Sequence, residues 1–336
     1  MTQVTIQNSG HQFNVRPSQT VLEAAIEAGI NLPYGCRNGA CGACKGKIIS
    51  GKVTHDDYQS TAMNEAELAA GQALFCCARP LEDLVIESRE VDGLNGIRPR
   101  ILPARVQKKE QLSGDVIVLF LQLPATERLQ FMAGQYLEFI LKDGKRRAFS
   151  IANAPHDDAM IELHLRLIPG GQFTQYVFDE MPEKAIMRIE APLGTFFLRE
   201  DSQKPIIFVA GGTGFAPIKG IIEHMIHHKI QRDIILYRGG RVQSDLYMDE
   251  LCQRWAEFVP NLRYIPVVSE EPADSGWQGR RGLVHEAVLQ DFPDLGGYHA
   301  YVCGAPAMVE VAHQAFVAQG LNADEFFSDA FTFAPK

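Results

Sequence analysis

The chain has 336 residues, 46% of them hydrophobic and 22% charged, the balance of a globular protein with room for two or three domains. Its formal net charge of −9 argues against a nucleic-acid partner, because binding phosphates asks for a basic face. No run approaches roughly 18 apolar residues, so no membrane span is expected, and the alternating start "MTQVTIQNSGHQFNV" lacks the apolar centre of a secretory leader, which points to the cytoplasm.

Two short alternating segments around "NSG" open the chain as a hairpin. "SQTVLEAAIEAG" follows as a short amphipathic helix, with Ser18 or Thr20 as N-cap and Gly29 as C-cap. After the loop "YGCRNGACGACKGK", "GKIISGKVTH" reads as strand, "MNEAELAAG" as helix and "LVIESREV" as strand. "DGLNGIRPRILPA", rich in Gly, Pro and Arg, reads as a linker. From Arg105 to Lys204, short β-branched and aromatic segments between turn signals suggest an antiparallel barrel. From Pro205 strand and helix alternate, the signature of an open parallel sheet. Residues 1–93 hold 7 Lys+Arg against 11 Asp+Glu, residues 94–203 hold 14 against 14, and residues 204–336 hold 11 against 16. Ordinary solvated surface explains this; acidity near the cysteine loop could also steer a basic partner.

Five of the seven cysteines, Cys36, Cys41, Cys44, Cys76 and Cys77, fall in the first 93 residues. Core cysteines do not cluster among glycines, and disulfides are rare in the cytosol. Zinc favours paired C-x2-C knuckles, of which one is present. The spacing Cys36-x4-Cys41-x2-Cys44 fits the plant-type [2Fe–2S] pattern directly. Gly35, Gly39 and Gly42 would let the backbone wrap closely, with N–H groups aimed at sulfur. Spacing alone leaves the fourth ligand open between Cys76 and Cys77.

"RRAFSIAN" puts an arginine, an aromatic and a serine on one strand, ahead of "PGGQFTQY". "VAGGTGFAP" follows an apolar strand and opens a helix, which reads as a pyrophosphate cradle on a helix N-terminus. Pro217 stands where the dinucleotide fingerprint would have its last glycine. "VCGAP" places Cys303 at a strand end, where ligands bind in open α/β sheets; a buried structural cysteine is the competing reading. Cys252 reads as core. Arg238 and Arg241 of "YRGGRVQSD" could reach a ribose 2′-phosphate.

Three such segments in this order resemble the ferredoxin–NADP reductase superfamily, and more narrowly its NADH-dependent reductase components with an N-terminal ferredoxin. The resemblance implies a multidomain α+β and α/β fold: a β-grasp [2Fe–2S] ferredoxin over 1–93, an antiparallel flavin-binding β-barrel over 100–203 and an open parallel α/β nucleotide-binding domain over 204–336. In the ferredoxins the last cysteine lies in Leu-x-Cys-x-x-x-Pro, here Leu74 to Pro80, which selects Cys76 beside Cys36, Cys41 and Cys44. For FAD, chosen over FMN because ferredoxin-fused relatives carry it, the resemblance implies Arg147 on the pyrophosphate, Phe149 against the ring and ribityl chain, and Ser150 near N5. It adds Gly171 and Thr174 on phosphate, with His164, Leu165 and Arg166 along a strand edge. For the nicotinamide cofactor it implies Gly211, Gly212, Thr213, Gly214 and Pro217, with Cys303, Gly304 and Pro306 beside the nicotinamide. The ending "FFSDAFTFAPK" resembles the Glu-x-Tyr terminus of plant-type reductases, with Asp329 as the acid and Phe331 or Phe333 shielding the flavin. Ferredoxin-fused relatives use NADH, so NADH is expected, with NADPH the alternative.

The function implied is an oxidoreductase relay from NADH through FAD and the [2Fe–2S] cluster to a separate acceptor protein, carried out by a monomer. The cysteine segments look most like those of CDP-6-deoxy-glucoseen reductases of 3,6-dideoxysugar synthesis, which feed an iron–sulfur dehydratase. The alternatives are the reductase component of an aromatic-ring or alkane oxygenase, an NAD(P)H–flavin reductase and a non-catalytic redox sensor.

Overall fold

The structure, a computed structural model, describes residues 1–94 and 96–332. Phe333 lies outside the described residues. Two compact units result, Met1–Pro99 with Leu193–Thr195, and Arg100–Pro192 with Phe196–Phe331. Among the described residues no helix is long and apolar enough to cross a membrane.

The first unit runs β1 (Thr2–Ile6), β2 (Gln12–Val15), α1 (Val21–Ala28), β3 (Lys45–Ser50), β4 (Val53–His55), α2 (Glu65–Ala69), β5 (Gln72–Leu74), β6 (Ala78–Pro80) and β7 (Leu84–Glu87). A mixed sheet of order β2-β1-β7-β3-β5 forms its body, with β1 and β2 antiparallel as the hairpin reading requires and β1 parallel to β7. Thr20 caps α1: its hydroxyl accepts from the Glu23 N–H, and the Glu23 carboxylate accepts from the Thr20 N–H. That reciprocal capping box fixes where the helix starts, and Val21, Leu22, Ala24 and Ala25 then face the core.

The second unit begins with β8 (Arg100–Gln111), β9 (Val116–Gln122), β10 (Tyr136–Ile140), β11 (Arg146–Ser150), β12 (Ile161–Arg166), α3 (Gln172–Asp179) and β13 (Ile186–Leu193). These strands pair in the order β11-β10-β13-β8-β9-β12, and an antiparallel bridge between Ile151 and Leu163 joins the two ends. The expected linker ends earlier than its composition suggests. Arg100 to Ala104 already belong to β8, where Leu102, Ala104 and Val106 are buried at every second position. Polar and proline residues between them disguise the period.

The chain continues through β14 (Ile206–Gly211), α4 (Phe215–His227), β15 (Ile234–Gly240), α5 (Asp249–Phe258), β16 (Leu262–Val268), β17 (Arg280–Arg281), α6 (Val284–Asp291), β18 (His299–Gly304), α7 (Pro306–Ala318) and β19 (Phe326–Ala330). All six strands pair in parallel, in the order β17-β16-β15-β14-β18-β19. The central strands are apolar on both faces, as a parallel sheet covered on both sides requires. The switch between β15 and β18 flanks β14, so the glycine turn after β14 opens where such sheets bind ligands.

Candidate electron-transfer site

In the first unit the loop between α1 and β3 wraps around sulfur. The Cys36 N–H donates to Cys41 Sγ at 3.3 Å, and the Ala40 and Cys41 N–H groups donate to Cys36 Sγ at 3.4 and 3.3 Å. Gly39 adopts φ +73°, and a Cβ there would stand 2.8 Å from Cys77 Sγ, so only glycine fits. Arg37 also sits in the left-handed region, at φ 61°, uncommon for a residue with a side chain. Neighbouring thiols push Cys36 and Cys76 down and, with burial, Cys41 and Cys44 well up, and Cys76 Sγ lies 3.6 Å from Cys77 Sγ. Among the described residues no three Cys, His, Asp or Glu side chains converge on a single ion. Backbone N–H groups aimed at cysteine sulfur fit the thiolate ligands of a [2Fe–2S] cluster.

In the second unit, three segments far apart in sequence meet. Ser150, at the end of β11, donates its hydroxyl to Asp329 Oδ2 at 3.1 Å. Asp329 lies on β19, directly opposite Cys303 of β18. Burial pushes the Asp329 carboxyl up to about 6, against the pull of the Ser150 hydroxyl. Burial first, and the neighbouring Asp329 second, raise the Cys303 thiol well above its ordinary value. Cys303 is therefore a neutral thiol that shapes its surroundings; a nucleophile would need the thiolate. Phe331 continues the pairing, its N–H donating to the Gly304 carbonyl at 2.9 Å, and its half-buried ring packs on the sheet core.

The two arginines of β11 differ. Arg146 pairs with Glu138 and Glu190, whereas Arg147 donates to the Arg146 carbonyl. Phe149 packs with Phe139 and Phe173, at 5.8 and 5.7 Å between ring centres. Gly171 is the N-cap of α3, and a Cβ there would press on Thr174 Oγ1 at 2.8 Å.

At the glycine turn, Gly211 and Gly214 bring β14 and α4 against β18: a Cβ on Gly214 would fall on the Cys303 carbonyl, and one on Gly211 would stand 2.7 Å from Met308 Sδ. Thr213 is buried, Pro217 lies in the first turn of α4, Gly304 faces the Gly211 carbonyl, and Pro306 starts α7. No side chain caps α4; the Phe215 N–H is taken by the Gly212 carbonyl of the preceding turn, and Pro217 has none to give.

The other expected residues divide between core and surface. Leu165 faces inward, fully buried with Leu163 in the barrel core, because β12 alternates and this is its inner face. His164 faces outward but is closed off: Nδ1 lies 2.9 Å from the Tyr247 hydroxyl and Nε2 2.8 Å from Glu162 Oε1. Burial pushes its pKa down, and a neutral ring that donates to Glu162 and accepts from Tyr247 satisfies both partners. Arg166 stands at the glycine turn, its Nη1 2.9 Å from where a Gly212 Cβ would be, with Nε on Asp115 at 2.6 Å. The Thr174 hydroxyl donates to the Gly171 carbonyl and accepts from the Ile168 N–H, so its proton is used within the chain. Arg238 is 2% exposed, donates to the Tyr247 carbonyl at 2.7 Å and stacks over Phe215 at 3.9 Å. It is a core cation. Arg241 remains exposed and pairs with Asp245 at 3.1 Å.

Sequence reading missed Lys219. It lies in α4 yet is 5% exposed, and its Nζ holds the Ala152 carbonyl at 3.3 Å, Glu162 Oε2 at 3.0 Å and Glu223 Oε1 at 2.9 Å. A lysine inside the apolar run "FAPIKGII" was the available signal.

Comparison with known proteins assigns the domains along the chain. Models of the 2Fe–2S iron–sulfur cluster binding domain, the oxidoreductase FAD-binding domain and the oxidoreductase NAD-binding domain match residues 4–81, 103–198 and 208–314. The chain is 40% identical over 328 residues to the CDP-6-deoxy-L-threo-D-glycero-4-hexulose-3-dehydrase reductase of Yersinia pestis, covering 98% of each. It is 36% identical over 336 residues to a terephthalate 1,2-dioxygenase reductase component of a Comamonas species, covering 99% of this chain and 98% of the other. The cytochrome P450 reductase GcoB of Amycolatopsis superposes with a TM-score of 0.83 at 33% identity, covering 99% of each chain. With N–H groups turned onto cysteine sulfur in one unit and a glycine turn beside a Ser–Asp–Cys cluster in the other, the chain belongs to the ferredoxin-fused iron–sulfur flavoprotein reductases, oxidoreductases that carry electrons from NAD(P)H through FAD and a [2Fe–2S] cluster.

Proposed function

We propose that the protein uses NADH and delivers electrons to a separate dehydratase acting on a nucleotide-linked deoxyhexulose, working as a cytoplasmic monomer. The observation that carries the acceptor is the 40% identity to the Yersinia dehydrase reductase over nearly the full length of both chains. The dioxygenase reductase at 36% supports the second reading, an oxygenase as acceptor. NADH is favoured because Arg238 is buried in the core and Arg241 pairs with Asp245, so neither of these two arginines stands ready for a 2′-phosphate.

When bound, FAD takes a hydride from the nicotinamide and the [2Fe–2S] cluster carries electrons singly. The residues hold the parts in place. The Gly211–Gly214 turn and the Arg166 guanidinium cradle the dinucleotide pyrophosphate. The Arg147 fork and the N-terminus of α3, beginning after Gly171, take the flavin pyrophosphate. The neutral Cys303 thiol and the Gly304–Pro306 turn shape the nicotinamide face. Ser150 presents its hydroxyl at the flavin edge, and Asp329 Oδ2 holds or returns a proton through it. Phe149 and Phe331 exclude water from the ring.

Cys76→Ser tests the order of the relay. Visible absorption of the cluster is lost, NADH–ferricyanide activity persists, and reduction of cytochrome c falls to background. Equal loss of both activities would remove the cluster from the exit of the path. Supplying purified dehydratase or oxygenase components and following NADH oxidation identifies the acceptor; acceleration by the oxygenase alone would reject the dehydratase.

A further inference from the structure

Cys77 is a buried thiol that the relay as described leaves without a role. It is 3% exposed, and its backbone is pinned on both sides: the N–H donates to the Leu74 carbonyl at 2.8 Å, and the carbonyl accepts from the Asp56 N–H at 2.9 Å. The side chain lies under the cluster loop, where any Cβ on Gly39 would come within 2.8 Å of its sulfur. Cys77 Sγ stands 3.6 Å from Cys76 Sγ and 3.7 Å from the Asp57 carbonyl oxygen.

We infer that Cys77 is a positioning residue whose S–H donates to the sulfur of Cys76 and so sets the potential of the cluster; the inference rests on Cys76 being the fourth ligand. A thiolate bound to iron can only accept, so of the two sulfurs Cys77 must be the donor. Its alternative acceptor is the Asp57 carbonyl, and a turn about its side-chain torsion chooses between the two. Added electron density on the ligand sulfur strengthens the bond to Cys76, which favours the reduced form and raises the potential. Backbone N–H donors serve Cys36 and Cys41 in the same way from the other end of the loop. The thiol gives the buried ligand Cys76 a side-chain donor as well.

The test is made on the holoprotein with Cys77→Ala, Cys77→Val and Cys77→Ser. The midpoint potential is read by EPR-monitored titration, and the Fe–S stretching bands by resonance Raman. The alanine and valine variants should keep two irons per chain and shift the potential downward, with altered stretching bands. Serine, which restores a donor, should bring the potential back toward that of the parent protein. An unchanged potential in alanine and valine, or serine behaving like alanine, overturns the inference and leaves Cys77 as packing. Loss of the cluster from all three variants also overturns it, since a donor outside the ligand set is not needed for assembly. Cys76→Ala separates the two readings: if that variant keeps its cluster while the Cys77 variants lose theirs, the ligand assignment itself was wrong.

Discussion

A carboxyl that meets its hydroxyl partner 179 positions away shows how much chemistry one residue can hold. Asp329 is raised from 3.8 to about 6 chiefly by burial. Between those values the native state keeps a proton that the unfolded chain has released, so this residue's contribution to stability falls as pH rises through that window. The same titration should appear in catalysis. Single-turnover flavin reduction by NADH, followed by stopped flow from pH 5 to 8, should show an inflection near 6. Asp329→Asn should abolish that inflection and slow reduction on the order of 10²-fold, the low end for a positioned proton carrier. A surviving inflection would assign it to another group. The residue was legible as an acid two places before an aromatic; its elevated proton affinity was not, because burial arises only when β19 lies beside β18. Arginines were harder. Arg147 and Arg146 are adjacent and chemically alike, yet Glu138 and Glu190 claim one and not the other. Arg238 looked like a ribose ligand until the face of β15 it occupies turned out to be lined by Phe215 and Tyr247.

The β14–turn–α4 element works by closeness. Gly214, the N-cap of α4, sits against the backbone of β18, where a methyl group would meet the Cys303 carbonyl. Gly214→Ala should lower stability by roughly 1–3 kcal/mol, as overpacking does, and raise the KM for NADH while the flavin and cluster spectra stay unchanged. Thermal unfolding and steady-state kinetics read the two effects; an unaltered KM would place the cofactor elsewhere. Elements with a strong period or a cap were readable from sequence: the hairpin of β1 and β2, the capping box of α1 and the alternation after Pro205. β8 hid behind prolines and arginines. The pair β5 and β6 is three residues per strand, too short to show a pattern beside two cysteines.

Across the second unit, barrel and parallel sheet are joined by buried charge as well as apolar contact. Lys219 on α4 reaches Glu162 on β12, and Glu162 reaches His164, which meets Tyr247. Burial opposes the charge on Glu162, but the His164 hydrogen bond and the Lys219 ammonium outweigh it and hold the carboxyl at about 2. Lys219→Met should cost roughly 3–5 kcal/mol, the usual penalty for leaving a buried partner alone. Glu162→Gln in the same chain should recover part of it, a coupling that urea unfolding followed by flavin fluorescence can measure. Strictly additive losses would reduce the pair to a bystander. No single-residue pattern announces such a joint, because its members come from segments that sequence reading assigns to different domains.

The order of the strands carries one more consequence. β19 follows every other strand of its sheet in the chain, yet it supplies the carboxylate that Ser150 bonds. During synthesis the barrel strand bearing Ser150 leaves the ribosome well before residue 329 does. A growing chain can thus complete its barrel, and with it the Arg147 fork, while the proton-holding group is still inside the translation machinery. On the proposed role of Asp329, a nascent reductase would then reduce its flavin slowly until translation has passed β19.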